Sequence, residues 1–147
     1  MVALELMAKN QASWAEVFAD IDEYYPENDT WGEWKEFMHA LLRAGVEEHL
    51  DKYFRAGQSM HYIIFSTCER HGLKRHDPHV VLGRDHNGYF VVYSRDTWWS
   101  LEPGVTPDRK DVITSTNALA VWRSHQLALW RETRPSEPIP PVFVLSA

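Results

Sequence analysis

His79-Val80-Val81-Leu82-Gly83-Arg84-Asp85-His86 and Tyr89-Phe90-Val91-Val92-Tyr93-Ser94-Arg95, joined by Asn87-Gly88, form the stretch on which the fold turns. Both arms are rich in β-branched and aromatic residues, the composition of strands. Asn-Gly is the dipeptide best suited to the positive φ angles of a two-residue type I′ hairpin. With that loop His86 pairs with Tyr89 and Arg84 with Val91, which puts Leu82, Val91 and Tyr93 on one face and Val81, Phe90 and Val92 on the other. Both faces are apolar. Such a sheet needs cover on two sides, or a helix layer on one side and a partner or cavity on the other.

Upstream of the hairpin, His61 to Thr67 is short, aromatic and β-branched and predicts a further strand. Before it the period is helical. Ser13-Trp14-Ala15-Glu16 has the S-x-x-E capping-box pattern, and Trp14, Val17, Phe18 and Ile21 follow at helical spacing, predicting a helix over about 13–24 that Tyr25-Pro26 ends. Thr30-Trp31-Gly32-Glu33 repeats the pattern ahead of Trp34, Phe37, Met38, Leu41, Leu42, Val46 and Leu50, one continuous apolar stripe. Gly45 interrupts that stripe and marks a point where the helix can kink, while Arg55-Ala56-Gly57 supplies a cationic last turn and a glycine stop.

Downstream, Trp98-Trp99-Ser100-Leu101 offers a fourth strand before prolines open a loop. Thr114 to Asn117 supply N-cap candidates for a helix over about 116–132 carrying Leu119, Trp122, Gln126, Leu129 and Trp130. Pro135 to Pro141 should run extended, delivering Val142 to Leu145 as a closing strand or a tail laid over the body. The expected fold is α+β: two N-terminal helices, a four-stranded largely antiparallel sheet with a central hairpin, a C-terminal helix and a final strand, in a single domain over 1–147.

At 147 residues the chain matches the soft prior of about 150 residues per domain, and a chain of this size needs no covalent staples. The single Cys68 cannot close an intramolecular disulfide and suits a reducing compartment. MVALELMAKNQ lacks a basic leader followed by an apolar run, and no stretch approaches the roughly 20 apolar residues of a membrane span. The expected location is the cytoplasm.

Charge is distributed unevenly. Residues 1–57 carry 12 acidic and five basic side chains, whereas the remainder carries nine and ten, so the formal charge of −6 originates in the N-terminal third. A field of that sign repels phosphate backbones and attracts basic proteins, making direct nucleic-acid binding an unfavourable reading. Asp20, Asp22, Glu23, Glu27 and Asp29, with Trp31 as an aromatic anchor, are the candidate partner-binding residues.

A second constellation is Cys68, His71, His76 and His79, four donors at loop spacing chemically suited to tetrahedral Zn²⁺. Arg70, Lys74 and Arg75 in the same loop would repel a dication. Carboxylate pairs such as Asp20 with Glu23 lie on polar helix faces, and no catalytic acid/base pair can be nominated. The P-loop, dinucleotide-fold, H-E-x-x-H and G-x-S-x-G motifs are absent.

Three functions follow as expectations. The first is a non-catalytic binding or inhibitory protein that engages a basic protein partner through its acidic helices. In general character, small, acidic, Trp-rich and without a catalytic motif, the chain resembles toxin-neutralising immunity proteins and phage-encoded inhibitors of defence systems, a resemblance that assigns no residue. The second is a metal-binding protein or enzyme centred on the Cys/His cluster, with zinc as cofactor. The third is a small-ligand pocket lined by Phe65, Tyr89, Val91 and Tyr93. The aromatic surplus and an edge strand at 142–145 also suit a homodimer.

Overall fold

Helix α1 (Leu4–Tyr24) begins well before the serine expected to cap it. Apart from Asn10, the segment from Leu4 to Ala12 is built of Leu, Glu, Met, Ala, Lys and Gln, residues of high helix propensity, so the helix propagates through it. Ser13 is instead buried in mid-helix, its hydroxyl donating to the Asn10 carbonyl. The structure, a computed structural model, describes residues 3–25, 31–69, 76–96 and 107–144. The second expected cap, Thr30, lies outside them, as do Glu27, Asp29, His71 and the proposed strand Trp98 to Leu101.

Helix α2 (Gly32–Glu47) runs without a break through Gly45. That glycine is a packing residue: a Cβ there would stand 2.6 Å from Trp122 and 3.1 Å from Trp14. His49, at φ 64°, ends the run, and the short helix α3 (Leu50–Tyr53) follows.

Arg55-Ala56-Gly57 is not a helix stop but the start of strand β1 (Arg55–Ser59), which pairs antiparallel with β2 (Tyr62–Ser66). Strands β3 (His79–Asp85), β4 (Gly88–Ser94) and β5 (Arg109–Ile113) complete a five-stranded antiparallel sheet in sequence order, one strand more than expected. The β3–β4 register pairs Arg84 with Tyr89 and Asp85 with Gly88, so the loop closes one residue earlier than expected, at His86-Asn87. Gly88 alone in that turn takes positive φ, at 114°, and the Asp85 carboxylate accepts the Asn87 N–H at 2.8 Å, which closes the turn without a mirror-image geometry. Relative to the expected pairing one strand shifts by two positions, which leaves every side chain on its expected face.

Helix α4 (Ala118–Thr133) matches the expected C-terminal helix. The tail expected as a closing strand forms a single helical turn, α5 (Pro141–Val144), with the Phe143 N–H on the Pro140 carbonyl and the Arg123 guanidinium on the Val142 carbonyl. Part of the outer side of β1 is already taken, the Ala56 N–H being held by Ser13 Oγ at 2.9 Å. Being helical, Val142 to Val144 supply no edge for dimer pairing.

The main core lies between the helices and one face of the sheet, joining Trp14, Trp34, Trp122 and Trp130 to Ile63, Phe65, Val80, Leu82 and Val91. A smaller buried cluster, Ile64, Val81, Phe90 and Val92, occupies the opposite face with Tyr62 packed against it. Both faces of the hairpin are thus withdrawn from water. Among the described residues no helix is long and apolar enough to cross a membrane.

Candidate functional site

Helix α1 buries Asn10, Ser13, Trp14, Val17 and Ile21. Glu16, Asp20 and Glu23 stand at i, i+4 and i+7 on the outward side, so one turn follows another with the same sign of charge. Glu16 and Glu23 are exposed and Asp20 half-exposed, and none of the three joins an ion pair among the described residues. Glu33 and Glu36, the carboxylate pair that the sequence places on a polar helix face, are exposed on α2 and add to the same acidic third of the chain.

Asp22 faces another way. Its carboxylate lies 3.0 Å from His39 Nε2 and 3.7 Å from Lys35 Nζ on α2, a link between the first two helices. Trp31 is half-buried in an aromatic cluster: its ring meets Tyr25 at 5.1 Å, Trp34 at 5.7 Å and His61 at 5.8 Å, with the Arg84 guanidinium 5.5 Å from the ring centre. Of the described candidates, Asp20 and Glu23 share one face of α1, while Asp22, exposed as well, is paired with Lys35 and His39, and Trp31 is packed against neighbouring rings.

Of the Cys/His candidates Cys68, His76 and His79 are described, and these three do not form a common site. Cys68 is half-buried just after β2, with its N–H toward the Ser66 hydroxyl at 3.4 Å. His76 is exposed, 3.8 Å from Asp96. His79 is fully buried at the first position of β3, where Nδ1 lies 2.9 Å from the Asp77 carbonyl. A carbonyl only accepts, so Nδ1 carries the proton. Burial pushes the His79 pKa down against the opposing pull of Asp77, Asp96 and Asp108. Among the described residues no group of three or more His, Cys, Asp or Glu side chains is placed to hold a metal ion.

A polar constellation that sequence reasoning missed joins α4 to the sheet edge. His125 is fully enclosed, with Nε2 2.7 Å from Asp111 Oδ2, and Arg109 Nε reaches the same oxygen at 2.8 Å. Desolvation lowers the His125 pKa, and the hydrogen bond from His125 holds the Asp111 carboxyl below its ordinary range. The imidazole is therefore neutral, donating from Nε2, and its enclosure makes it a tie between α4 and β5 rather than a group that meets substrate. His125 Nδ1 and both polar atoms of Gln126 are buried without a partner among the described residues. The available signal was phase: position 125 falls on the stripe of Ala118, Trp122 and Leu129.

The residues suggested for a ligand pocket lie in packed surroundings. Phe65 meets Trp14 at 5.2 Å and Trp122 at 5.1 Å, and Tyr89 stacks on Phe37 at 3.8 Å. A separate surface cleft of about 290 Å³ lies between Glu5, Leu6 and Lys9 of α1 and Glu69, Arg134 and Glu137. Arg134 is already engaged there by Glu137 at 3.0 Å, Glu69 at 3.6 Å and the Thr67 carbonyl at 3.0 Å. Comparison with known proteins found no matching family model, no matching curated protein and no matching solved structure.

Proposed function

We propose that the chain is a non-catalytic binding protein of inhibitory type, which captures a basic protein surface on the outer face of α1. The observation that carries this is the placement of charge. Glu16, Asp20 and Glu23 repel one another along one helix face, each neighbouring like-charge pair costing roughly 0.2–0.5 kcal/mol. The stripe also runs into the last turn of α1, which contains no basic residue. An acid at that end opposes the helix dipole at a cost of about 0.3–1 kcal/mol. Local choices that work against the fold concentrate where a surface serves something outside it. A basic partner would relieve both penalties on docking and be steered in by the field.

The test is the triple variant Glu16→Lys, Asp20→Lys, Glu23→Lys. It should melt at least as high as the parent, because the dipole conflict at the last turn is removed while like-charge repulsion along the face keeps a similar size, yet lose the protein that the parent captures from its source cells. Capture by the parent should weaken steeply as salt rises past about 0.1 M, where screening shortens to roughly 10 Å. Capture that is indifferent to both reversal and salt would overturn the proposal.

A further inference from the structure

Exposed apolar side chains on α1, β5 and α5, namely Leu4, Val112 and Val144, stand singly. Scattered residues of that kind are ordinary on any surface. Tyr24 and Met60 differ. Tyr24 is 66% exposed at the end of α1 and Met60 76% exposed at the tip of the β1–β2 hairpin. Tyr25, the residue after Tyr24, joins the end of α1 to the hairpin tip, its ring packed inward on Trp31 and Trp34 while its hydroxyl donates to the Met60 carbonyl. Tyr24 in turn sits one residue after Glu23 and one helical turn beyond Asp20, at the end of the acidic stripe.

Met60 is also held in an unfavourable backbone state. Its φ is 55°, a left-handed conformation that glycine or asparagine normally takes at a hairpin tip. Besides Tyr25, Gln58 Nε2 donates to the Met60 carbonyl at 3.0 Å, so the strained residue is clamped rather than loose. A large apolar side chain exposed to water on a strained, hydrogen-bonded backbone is the arrangement of a contact residue.

We propose that Tyr24 and Met60 are the apolar anchor of the acidic surface and insert into an apolar recess bordered by basic groups on the partner protein. This rests on the proposed function: the carboxylates of α1 bring the basic partner in, and the two side chains hold it. Charge complementarity selects the occupant, since a surface presenting Glu16, Asp20 and Glu23 beside the anchor repels a second copy of itself and any anionic polymer.

The test replaces Tyr24 with p-benzoylphenylalanine, and Val112 on β5 as a control, and illuminates the source cells. The expected result is an adduct with a basic protein from position 24, none from position 112, and none from position 24 once Glu16, Asp20 and Glu23 are reversed to Lys. The adducted protein, purified, should bind the Met60→Gly and Tyr24→Ser variants at least tenfold more weakly through faster dissociation, with association rate and salt dependence unchanged. Met60→Gly should melt no lower than the parent, because glycine adopts this backbone angle without strain. An adduct of twice the 17.2 kDa chain mass would assign the patch to self-association and overturn the proposal. So would the absence of an adduct at position 24, or unchanged affinity in both variants. If charge reversal still abolishes capture in those cases, the acidic-surface function stands without the anchor; if it does not, both fall.

Discussion

An alanine at position 45 would gain about 1 kcal/mol of helix propensity over glycine. Its methyl, however, would stand 2.6 Å from Trp122 and 3.1 Å from Trp14, inside rings that already touch at a centroid distance of 5.9 Å. Both tryptophans are almost fully buried and neither can swing into solvent. Overpacking of this kind costs roughly 1–3 kcal/mol, so Gly45→Ala should lower the urea midpoint despite the better propensity. A higher midpoint would show that the rings yield. Phase made the same difference at the surface. From sequence, Asp20, Asp22 and Glu23 form one acidic group, but 100° per residue separates Asp22 toward Lys35 and His39 from the two that face outward, and Glu16 belongs with the latter.

Between elements, the joint of α1 with α3 and the start of β1 includes a few polar contacts across long sequence separations. Asn10 donates to the Lys52 carbonyl at 2.9 Å, Trp14 Nε1 to the Phe54 carbonyl at 2.8 Å, and Ser13 Oγ accepts the Ala56 N–H. Removing the hydroxyl leaves a buried N–H without its acceptor, a loss of about 1–3 kcal/mol. Ser13→Ala should therefore destabilise the chain by that amount in urea unfolding, although alanine is the better helix former. The elements legible in the sequence were those whose own composition decides them: the central hairpin, with its alternating faces, and the apolar stripes of α2 and α4. Arg55 to Ser59 and Arg109 to Ile113 were not legible because Arg, Gly, Gln, Lys and Asp have little strand preference. Each is a strand only because its neighbour supplies the pairing, Phe65 to Ala56 on one side and Phe90 to Val112 on the other. Charged side chains on β5 also blunt the sheet edge it forms.

For the whole molecule, acid is the condition to which the fold is most exposed. Burial lowers the pKa of His79 and of His125 below the ordinary value of 6.5. The unfolded chain therefore binds protons first on acidification, so their stabilising contribution is complete above about pH 6.5 and is lost as pH falls below it. Each fully shifted histidine adds a slope of up to about 1.4 kcal/mol per pH unit in that window. The carboxyls act lower down: Lys110 holds Asp85 and His125 holds Asp111 below 3.8, whereas burial raises Asp51 and Glu132 and opposes them. Urea midpoints should be flat from pH 8 to 7 and decline from about pH 6.5 to 5, and His125→Gln should flatten part of that decline. A midpoint that rises on acidification across this window would contradict the neutral, enclosed state of both rings.

The hydroxyl of Ser13 on the Ala56 N–H also bears on what the chain does when it is incomplete. Until the first helix docks, the outermost strand presents an uncapped backbone to any extended polypeptide in its neighbourhood. The helix is made before that strand during synthesis, 43 residues ahead of it along the chain. The guard of that edge is thus already made when the vulnerable ribbon emerges, so a nascent chain that has reached the sheet can cover this edge without waiting for anything synthesised later.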